Sequence, residues 1–452
     1  MLPSKRIPLN IPVASEYTNA CSTAVTVYLL ALLLAASFLL SCSGAAKQRD
    51  KDAAGSAAIK LPAPSPITTA ETEKYKMLCE QWYDSVLKNR GFNGAIIVAK
   101  KGNVVFERYQ GTGHMDGTDT ITAVTPFHIA SVSKTFTAMT VLKLWQAGKL
   151  NLDDEFTKYF PAFNYPGVTI RSLLNHRSGL PNYVYFMETL GWDKKIYIRN
   201  GDVLNYLITR KAEIKNIASP NTHFTYCNTN YALLALLIEK LSGTSYAAYL
   251  QQTFFTPLSM KNTFVFDTSR LTSVNPSYDW RGKMIGFNFL DAVYGDKNIY
   301  STAHDLLIWD RVLYSSKLFT QKTLDEAFAP YSNEKPGIRN YGLGWRMNIY
   351  PNGKKMIYHN GWWHGNNASF IRLTADSATI IVLSSKFNRG VYHAKDLAAV
   401  FSDYGSGLEE EEEAIVNSPK MAPAHTPKKM IAAPVKIKVK PQRASKKIKK
   451  RE

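Results

Sequence analysis

The sequence predicts an α/β fold of the α+β kind, in which helices flank one antiparallel sheet and a mainly helical lobe is inserted into it. Segments rich in β-branched residues occur early, at residues 93–111, and return only after residue 355. The residues from 130 to 330 are mostly helical in pattern. Strands at both ends with helices between them imply that both ends of the folded region build the same sheet.

Each element has its own local signal along the chain. Residues 93–111 predict a β-hairpin, because two β-branched runs flank a Lys-Gly-Asn turn. The segment after Ser131 is apolar on almost every side, which indicates a buried helix, and Gly148 is well placed to end it. Later helices are predicted over DVLNYLITRK, NYALLALLIEKLSG and SYAAYLQQTFFTPLSM. The last predicted elements are the strands MIYHNG, NASFIRLT and ATIIVLSSK and a closing helix, VYHAKDLAAVF.

The two ends of the 452-residue chain differ in composition from its middle. Residues 1–42 predict a signal peptide whose lipobox-like end would place a lipid on Cys42, although the long segment before the apolar run leaves room for a later start or an uncleaved anchor. Residues 43–74 predict a flexible linker, and residues 75–404 the folded domain. We therefore expect an exported protein, lipid-anchored to a membrane of a bacterial cell envelope and facing the periplasm or the surface.

The formal net charge of +19 is concentrated in part at the C-terminus. Residues 405–452 form an acidic and then a basic stretch that predicts a disordered tail. A solvated tail is the simpler interpretation, and acidic envelope polymers or lipid headgroups are the partners that its charge would suit. No nucleic-acid partner is expected for an exported protein. Cys79 and Cys227, which remain after the signal segment is removed, are expected to be free.

Ser131 and Lys134 form a Ser-x-x-Lys pattern at the start of the predicted buried helix. Residues three apart lie on one face of a helix, so the lysine can reach the serine hydroxyl, which needs a base to become a nucleophile. The same pattern begins at Ser85 and at Ser332. Only the copy at Ser131 lies at a buried helix N-terminus, where free N–H groups favour developing negative charge.

Two further segments contain residues that suit the same chemistry. Tyr226 and Asn228 precede a predicted helix, and a phenol can transfer a proton while an amide orients a neighbour. His359 and Gly361 lie at the end of a predicted strand, where the glycine lets the backbone approach a ligand closely. Taken alone, His359 is more simply interpreted as a surface or core histidine.

Eight segments follow one another along the chain: FHIASVSKTFTAM, GKLNLDDEFTKYFP, SLLNHRSGLPNY, FTYCNTNYALLALLIEKLSG, TPLSMKNTFV, IYSTAHDLLIWDRVL, YGLGW and YHNGWWHGNNASFIRL. Together they resemble the serine β-lactamase-like family of class C β-lactamases, DD-peptidases and related esterases and aminopeptidases. The resemblance covers roughly residues 94–401.

The resemblance implies a β-lactamase/DD-peptidase-like fold and a role for each candidate residue. Ser131 would be the acylated nucleophile, Lys134 its proton acceptor and Tyr226 an acid and base, with Asn228 as a polar orienter. The backbone N–H groups of Ser131 and Trp362 would form the oxyanion hole. Whether Lys134 or Tyr226 accepts the serine proton stays open. No cofactor is implied.

The motif that contains His359 departs from the family pattern. His-Asn-Gly stands where lactamases usually have Lys-Thr-Gly, and a histidine is charged only part of the time near pH 7. We therefore expect esters and neutral amides to be better substrates than β-lactams. Peptides and cell-wall fragments stay among the expected substrates. Trp362 and Trp363 would suit an apolar acyl group, unless one of them packs in the core.

Two other functions fit parts of the sequence. A catalytically silent envelope-binding protein would use the same cleft without turnover, because a fold does not determine an activity. A metal hydrolase would use His359, His364 and His393, but no nearby carboxylate or cysteine completes a zinc site. We therefore expect a serine hydrolase that acts on an ester or an amide through an acyl-enzyme, and no metal.

Overall fold

A computed structural model of the chain describes residues 58–114, 117 and 119–405. The predicted signal peptide, Cys42, most of the predicted linker and nearly all of the predicted tail lie outside these residues. Among the described helices, none is both long and apolar enough to cross a bilayer.

The described residues form α-helices and β-strands with the following bounds. The α-helices are α1 (Thr69–Tyr83), α2 (Ser133–Gln146), α3 (Ile170–Leu174), α4 (Tyr183–Thr189), α5 (Asn200–Thr209), α6 (Asn228–Ser242), α7 (Tyr246–Leu250), α8 (Ala303–Val312) and α9 (Gln321–Ala327). The strands are β1 (Gly94–Lys100), β2 (Asn103–Gln110), β3 (Phe127–His128), β4 (Phe264–Val265), β5 (Ser277–Tyr278), β6 (Met284–Ile285), β7 (Ile299–Ser301), β8 (Arg339–Tyr341), β9 (Arg346–Ile349), β10 (Lys355–Trp363), β11 (Asn366–Leu373) and β12 (Ala378–Ser384).

The main sheet has the strand order β2-β1-β12-β11-β10-β9-β8 within the described residues, and the pairs between these neighbours are antiparallel. The early hairpin β1–β2 joins the late strands through β12, with Ile97 opposite Ile381. The predicted fold class is therefore confirmed: both ends of the folded region build one sheet. The inserted lobe is mainly helical, although it also contains a small sheet, β3-β7-β4, and the hairpin β5–β6.

The alternation of side chains along β1 separates two apolar cores. Ile97 faces the larger core, which includes residues of α2, α6 and α8, whereas Ile96 and Val98 face a second core on the other side of the sheet. Helix α1 covers that second face through Tyr75 and Cys79. Because successive side chains of a strand point to opposite faces, one short apolar strand serves both cores.

The predicted linker is too long at its C-terminal end, because α1 begins six residues before the expected domain boundary. Thr68 caps the helix: its hydroxyl accepts the N–H of Glu71, and the Glu71 carboxylate accepts the N–H of Thr68. The preceding residues are also attached to the domain, since the Ile59 N–H donates to the Pro257 carbonyl. Thr68 and Glu71 already have the spacing of a capping box in the sequence, and this signal places the start of the domain before residue 75.

The predicted closing helix is present, but residues 389–400 adopt 3-10 geometry. Val391, Ala394 and Leu397 are buried in the second core. Their spacing of three residues matches a helix with 3.0 residues per turn, so this geometry places all three on one face.

Candidate active site

Ser131 lies in a short 3-10 turn, Ala130–Val132, directly before α2. Ala130 has a φ of +47°, an uncommon conformation for a residue with a side chain. Its N–H donates to His128 Nδ1 at 3.1 Å, and His128 Nε2 lies 2.9 Å from Asn298 Oδ1. Because Nδ1 accepts a hydrogen bond, Nε2 carries the proton and donates to Asn298. These contacts hold the strained turn that presents the serine.

Lys134 is the second residue of the buried helix α2, and its side chain is directed at Ser131. Its Nζ is 3.0 Å from Ser131 Oγ, 2.8 Å from Asn228 Oδ1 and 2.7 Å from the Asp296 carbonyl oxygen. The residue is 0% exposed, and this burial lowers the pKa of Lys134 to about 7. The i, i+3 spacing therefore produces the predicted contact.

The contacts of Lys134 suit a neutral amine that accepts a proton. A neutral amine has two N–H groups and one lone pair. The Asn228 amide oxygen and the Asp296 carbonyl oxygen can accept hydrogen bonds but cannot donate them, so they take both N–H groups. The lone pair then remains for the proton of Ser131 Oγ.

Tyr226 completes the predicted constellation, just before α6 begins at Asn228. Lys134 Nζ lies 4.9 Å from the centroid of the Tyr226 ring, and the Arg346 guanidinium carbon lies 5.0 Å from it. A cation near an aromatic face is favourable, so the Arg346 guanidinium holds the ring. The adjacent Cys227 is buried and free, and burial raises the pKa of its thiol to about 11, which makes it a poor rival nucleophile.

Arg346 is a site residue that the sequence analysis missed. It lies on β9, 120 positions after Tyr226 in the chain, within a segment that begins directly after the family-like YGLGW. Its charge also helps to lower the pKa of Lys134. The YGLGW segment was part of the resemblance, but no spacing rule connects Arg346 with Tyr226.

His176 is a second missed residue, and it supports the turn that presents Tyr226. It is buried at a φ of +59°, and its ring centroid lies 4.4 Å from that of Tyr226. Its Nδ1 accepts the N–H of Cys227 at 3.2 Å. The signal that could have identified it was its place within SLLNHRSGLPNY.

His359 lies beside Tyr226, but its ring is buried. The two ring centroids are 6.2 Å apart. His359 Nδ1 lies 2.7 Å from the Asn360 carbonyl oxygen, so this nitrogen donates, and Nε2 accepts from the Tyr341 hydroxyl at 3.2 Å. Burial lowers the pKa of His359 well below its usual range. The expected partial charge near pH 7 is therefore wrong, and the imidazole is neutral.

Gly361 brings β10 against the nucleophile turn. A Cβ atom at this position would lie 2.4 Å from the Ile129 carbonyl oxygen and 3.1 Å from the Ser131 nitrogen. Only glycine permits this approach, and the next backbone unit is that of Trp362. The Trp362 indole donates to the His364 carbonyl oxygen at 2.8 Å and is only partly buried. The predicted oxyanion hole remains a prediction.

The three histidines of the metal hypothesis have separate partners. His364 pairs with Asp291, whereas His393 lies 3.5 Å from Asp396 and His359 contacts Tyr341. Within the residues that the structure describes, no group of three or more histidine, cysteine or acidic residues is arranged to hold a metal ion.

Comparisons with known proteins agree with this architecture. A family model described as Beta-lactamase matches residues 80–404. "Penicillin-binding protein 4*" of Bacillus subtilis (strain 168) is 30% identical over 322 residues, which are 67% of this chain and 70% of the relative. A putative penicillin-binding protein of the same strain is 27% identical over 58% of this chain and 64% of its own length.

Solved structures show the same fold at lower identity. A penicillin-binding protein from Bacillus halodurans superposes with a TM-score of 0.61 at 20% identity, covering 74% of this chain and 99% of that one. A D-amino acid amidase from Ochrobactrum anthropi SV3, complexed with D-phenylalanine, superposes with a TM-score of 0.60 at 21% identity, covering 74% and 99%. The match over residues 80–404 shows that this chain belongs to the β-lactamase family.

Proposed function

We propose that this protein is a serine hydrolase that cleaves an ester or an amide through an acyl-enzyme on Ser131. The observation that carries the proposal is the contact of 3.0 Å between Ser131 Oγ and the buried Lys134 Nζ. The two remaining contacts of that amine are to acceptors, so its lone pair is free for the serine proton. Membership of the β-lactamase family supports the same chemistry.

The proposed reaction has two stages. In the first, the Ser131 Oγ–H proton moves to Lys134 Nζ while Oγ bonds to the substrate carbonyl carbon. The carbonyl oxygen becomes an oxyanion that accepts from the N–H groups of Ser131 and Trp362. Tyr226 then passes a proton to the leaving group as its bond to the carbonyl carbon breaks. In the second stage, water gives a proton to the Tyr226 phenolate as its oxygen bonds to the acyl carbon, and Ser131 Oγ leaves with the proton held by Lys134, which returns all three residues to their starting states.

The position of Arg346 favours substrates that carry a carboxylate on the leaving-group side. Because His359 is buried and neutral, it cannot attract a carboxylate as a lysine would. The Arg346 guanidinium beside Tyr226 is a suitable partner for a substrate carboxylate on the leaving-group side. Relatives named as penicillin-binding proteins and structural neighbours named as D-amino acid amidases support amides and peptides of D-amino acids as classes to test, together with β-lactams as acylating agents.

We also propose that the protein is exported and lipid-anchored through Cys42 in a bacterial envelope. The support is the apolar run and lipobox-like end within residues 1–42. Labelling of cells with a radioactive or alkyne-bearing fatty acid checks this, with Cys42→Ala as the control. Equal labelling of both proteins would contradict the anchor.

The test of catalysis compares p-nitrophenyl acetate turnover by the purified protein and two variants. Ser131→Ala is expected to lower turnover by at least about 10³-fold while keeping the circular dichroism spectrum. Ser85→Ala is the matched control, because Ser85 begins another Ser-x-x-Lys but is exposed on the surface. Intact mass spectrometry should show an acyl adduct that Ser131→Ala cannot form. Unchanged turnover by Ser131→Ala would overturn the proposal, and ligand binding without turnover would favour a binding protein.

A further inference from the structure

A pocket of about 160 Å³ lies next to the candidate active site, where segment 271–287 faces the last residues of β10. One wall is formed by residues of two elements described above: His128, three positions before Ser131, and Trp363, one position after Trp362. Tyr226, which we assign to the leaving group, does not line it. Gly361 lies against the Ser131 backbone, and Trp363 lies two residues further along β10, on the same face of the strand. The pocket therefore lies beside the nucleophile turn and away from Tyr226, as expected for the acyl side of the reaction.

The walls of the pocket are mostly apolar. The apolar lining includes Leu271, Val274, Ile285, Phe287 and Trp363. A cavity of about 150 Å³ with apolar walls accommodates one benzene molecule, so this pocket has room for a single ring. Burial of a ring against such walls is favourable because it removes apolar surface from water.

Two asparagines of the pocket hold buried side-chain atoms that have no partner among the described residues: Oδ1 of Asn366, and both Oδ1 and Nδ2 of Asn275. Asn366 is 3% exposed; its Nδ2 donates to the Trp363 carbonyl oxygen at 3.3 Å, but its Oδ1 accepts no hydrogen bond from any residue that the structure describes. His364 Nε2 donates to the Asp291 carboxylate, whose two oxygens each lie 3.0 Å away. A buried acceptor without a donor is costly, so a ligand that supplies one is favoured.

A cationic ligand does not fit this pocket as well as a neutral one. The Asp291 carboxylate already accepts from His364, from the Trp363 indole N–H and from the backbone N–H of Asn288. The buried Lys297 ammonium lies 4.7 Å from the Trp363 ring centroid and opposes a second positive charge. A hydroxyl or amide N–H satisfies the acceptors without that repulsion.

We infer that this pocket binds the side chain of the acyl group, and that it selects an uncharged, ring-sized group that carries a hydrogen-bond donor, such as 4-hydroxyphenyl. The inference rests on the proposed hydrolase function for its kinetic test but not for its binding test.

The kinetic test compares three p-nitrophenyl esters, of acetic, phenylacetic and 4-hydroxyphenylacetic acid, on the full-length protein. The ring is expected to raise kcat/KM over acetate by about tenfold or more, and the hydroxyl by about a further tenfold. Asn366→Leu should remove the hydroxyl preference and keep the ring preference. Equal rates for the two ring esters in the unsubstituted protein would overturn the selectivity for a donor.

A second variant fills the pocket. Gly286 lines it, and a Cβ atom placed there meets no atom within 4 Å. Gly286→Leu is expected to lower the ratio of ring-ester to acetate rates by about tenfold. Gly201→Leu is the matched control, because its Cβ also meets open space but lies on α5, outside the pocket lining. An unchanged ratio in Gly286→Leu would overturn the assignment of the pocket.

Direct binding separates this inference from the proposed function. Calorimetric titration of the Ser131→Ala protein with 4-hydroxyphenylacetamide should show binding that phenylacetamide matches poorly and that Gly286→Leu abolishes. Ser131-dependent turnover of acetate without ligand binding or ring preference would refute the pocket and leave the hydrolase standing. Selective binding with turnover that does not depend on Ser131 would refute the hydrolase and leave the pocket standing.

Discussion

Lys134 and Lys297 are both buried in the same part of the molecule, but the groups that each amine contacts differ. Lys134 contacts a hydroxyl, an amide oxygen and a backbone carbonyl oxygen. Lys297 contacts the Tyr183 hydroxyl and lies 3.6 Å from the Asp296 carboxylate. Burial lowers the pKa of both amines and the Asp296 carboxylate opposes this effect at both, but only Lys297 lies within ion-pair distance of that carboxylate. Burial among neutral acceptors produces a base, whereas burial beside a carboxylate produces a structural ion pair.

The largest expected difference between the two lysines is in activity. Lys134→Met should lower kcat/KM for p-nitrophenyl acetate by about 10³-fold, within the range found for loss of a general base. Lys297→Met should change it by less than about tenfold, because no contact joins Lys297 to Ser131. Steady-state kinetics on both purified variants check this. Equal losses of kcat/KM in the two variants, both folded, would contradict the different roles assigned to the two lysines.

For stability we expect the opposite order: Lys297→Met should destabilise the protein more than Lys134→Met. Lys297→Met leaves the Asp296 carboxylate buried without its cation, a change that typically costs about 3–5 kcal/mol. Lys134→Met leaves only neutral acceptors and should cost about 1–3 kcal/mol. Urea unfolding at pH 7 measures both, and adding Asp296→Asn to Lys297→Met should restore part of the loss. A larger loss in Lys134→Met than in Lys297→Met would contradict the comparison.

The pH dependence of activity should report the state of Lys134. Its pKa of about 7 predicts that kcat/KM for a neutral ester falls about tenfold per pH unit below pH 7 and levels off above it. A profile that is flat between pH 5 and 8 would exclude Lys134 as the base.

The lowered pKa of Lys134 also makes the stability of the folded protein depend on pH. Between about pH 7 and the ordinary lysine value of 10.5, the unfolded chain holds a proton on Lys134 that the folded chain has lost. Stability contributed by this group therefore rises with pH across that window. Relative to Lys134→Met, the unsubstituted protein should gain free energy of unfolding from pH 7 to 10, and a decrease over that range would refute the assignment.

The smallest expected effects are shifts of the kinetic profile by charges near Lys134. The Asp296 carboxylate raises the pKa of Lys134 and the Arg346 guanidinium lowers it. Asp296→Asn should therefore move the rising limb to lower pH, and Arg346→Gln should move it to higher pH. Profiles measured with a neutral ester avoid the separate effect of Arg346 on charged substrates. Shifts in the same direction would show that these two charges do not act on the base directly.

Local signals predicted the elements and the contacts that depend on short spacing. The contact between Ser131 and Lys134 follows from helix geometry, and Gly148, with a positive φ, ends its helix as expected. The contacts missed by the sequence analysis join distant segments. Asp296 reaches Lys134 across 162 positions, and Arg346 reaches Tyr226 only after β9 has joined the sheet.

The error about the charge of His359 has the same origin. The residue type and its place in a strand were visible, but its burial depends on how β8 and β10 bring Tyr341 against the ring. A pKa is set by the environment in three dimensions, which periodicity along the chain does not describe. Family resemblance located the residue but not its protonation state.

The position of β12 in the sheet has a consequence for the order of folding. β12, the last strand of the described residues, is inserted between β1 and β11, so it alone joins the early hairpin to the late strands of the described sheet. During synthesis, the nucleophile turn emerges some 250 residues before this strand is complete. Contacts of such long sequence separation slow folding, because a large loop must close first. The chain can therefore remain unfolded, and inactive, until residues 378–384 have been made.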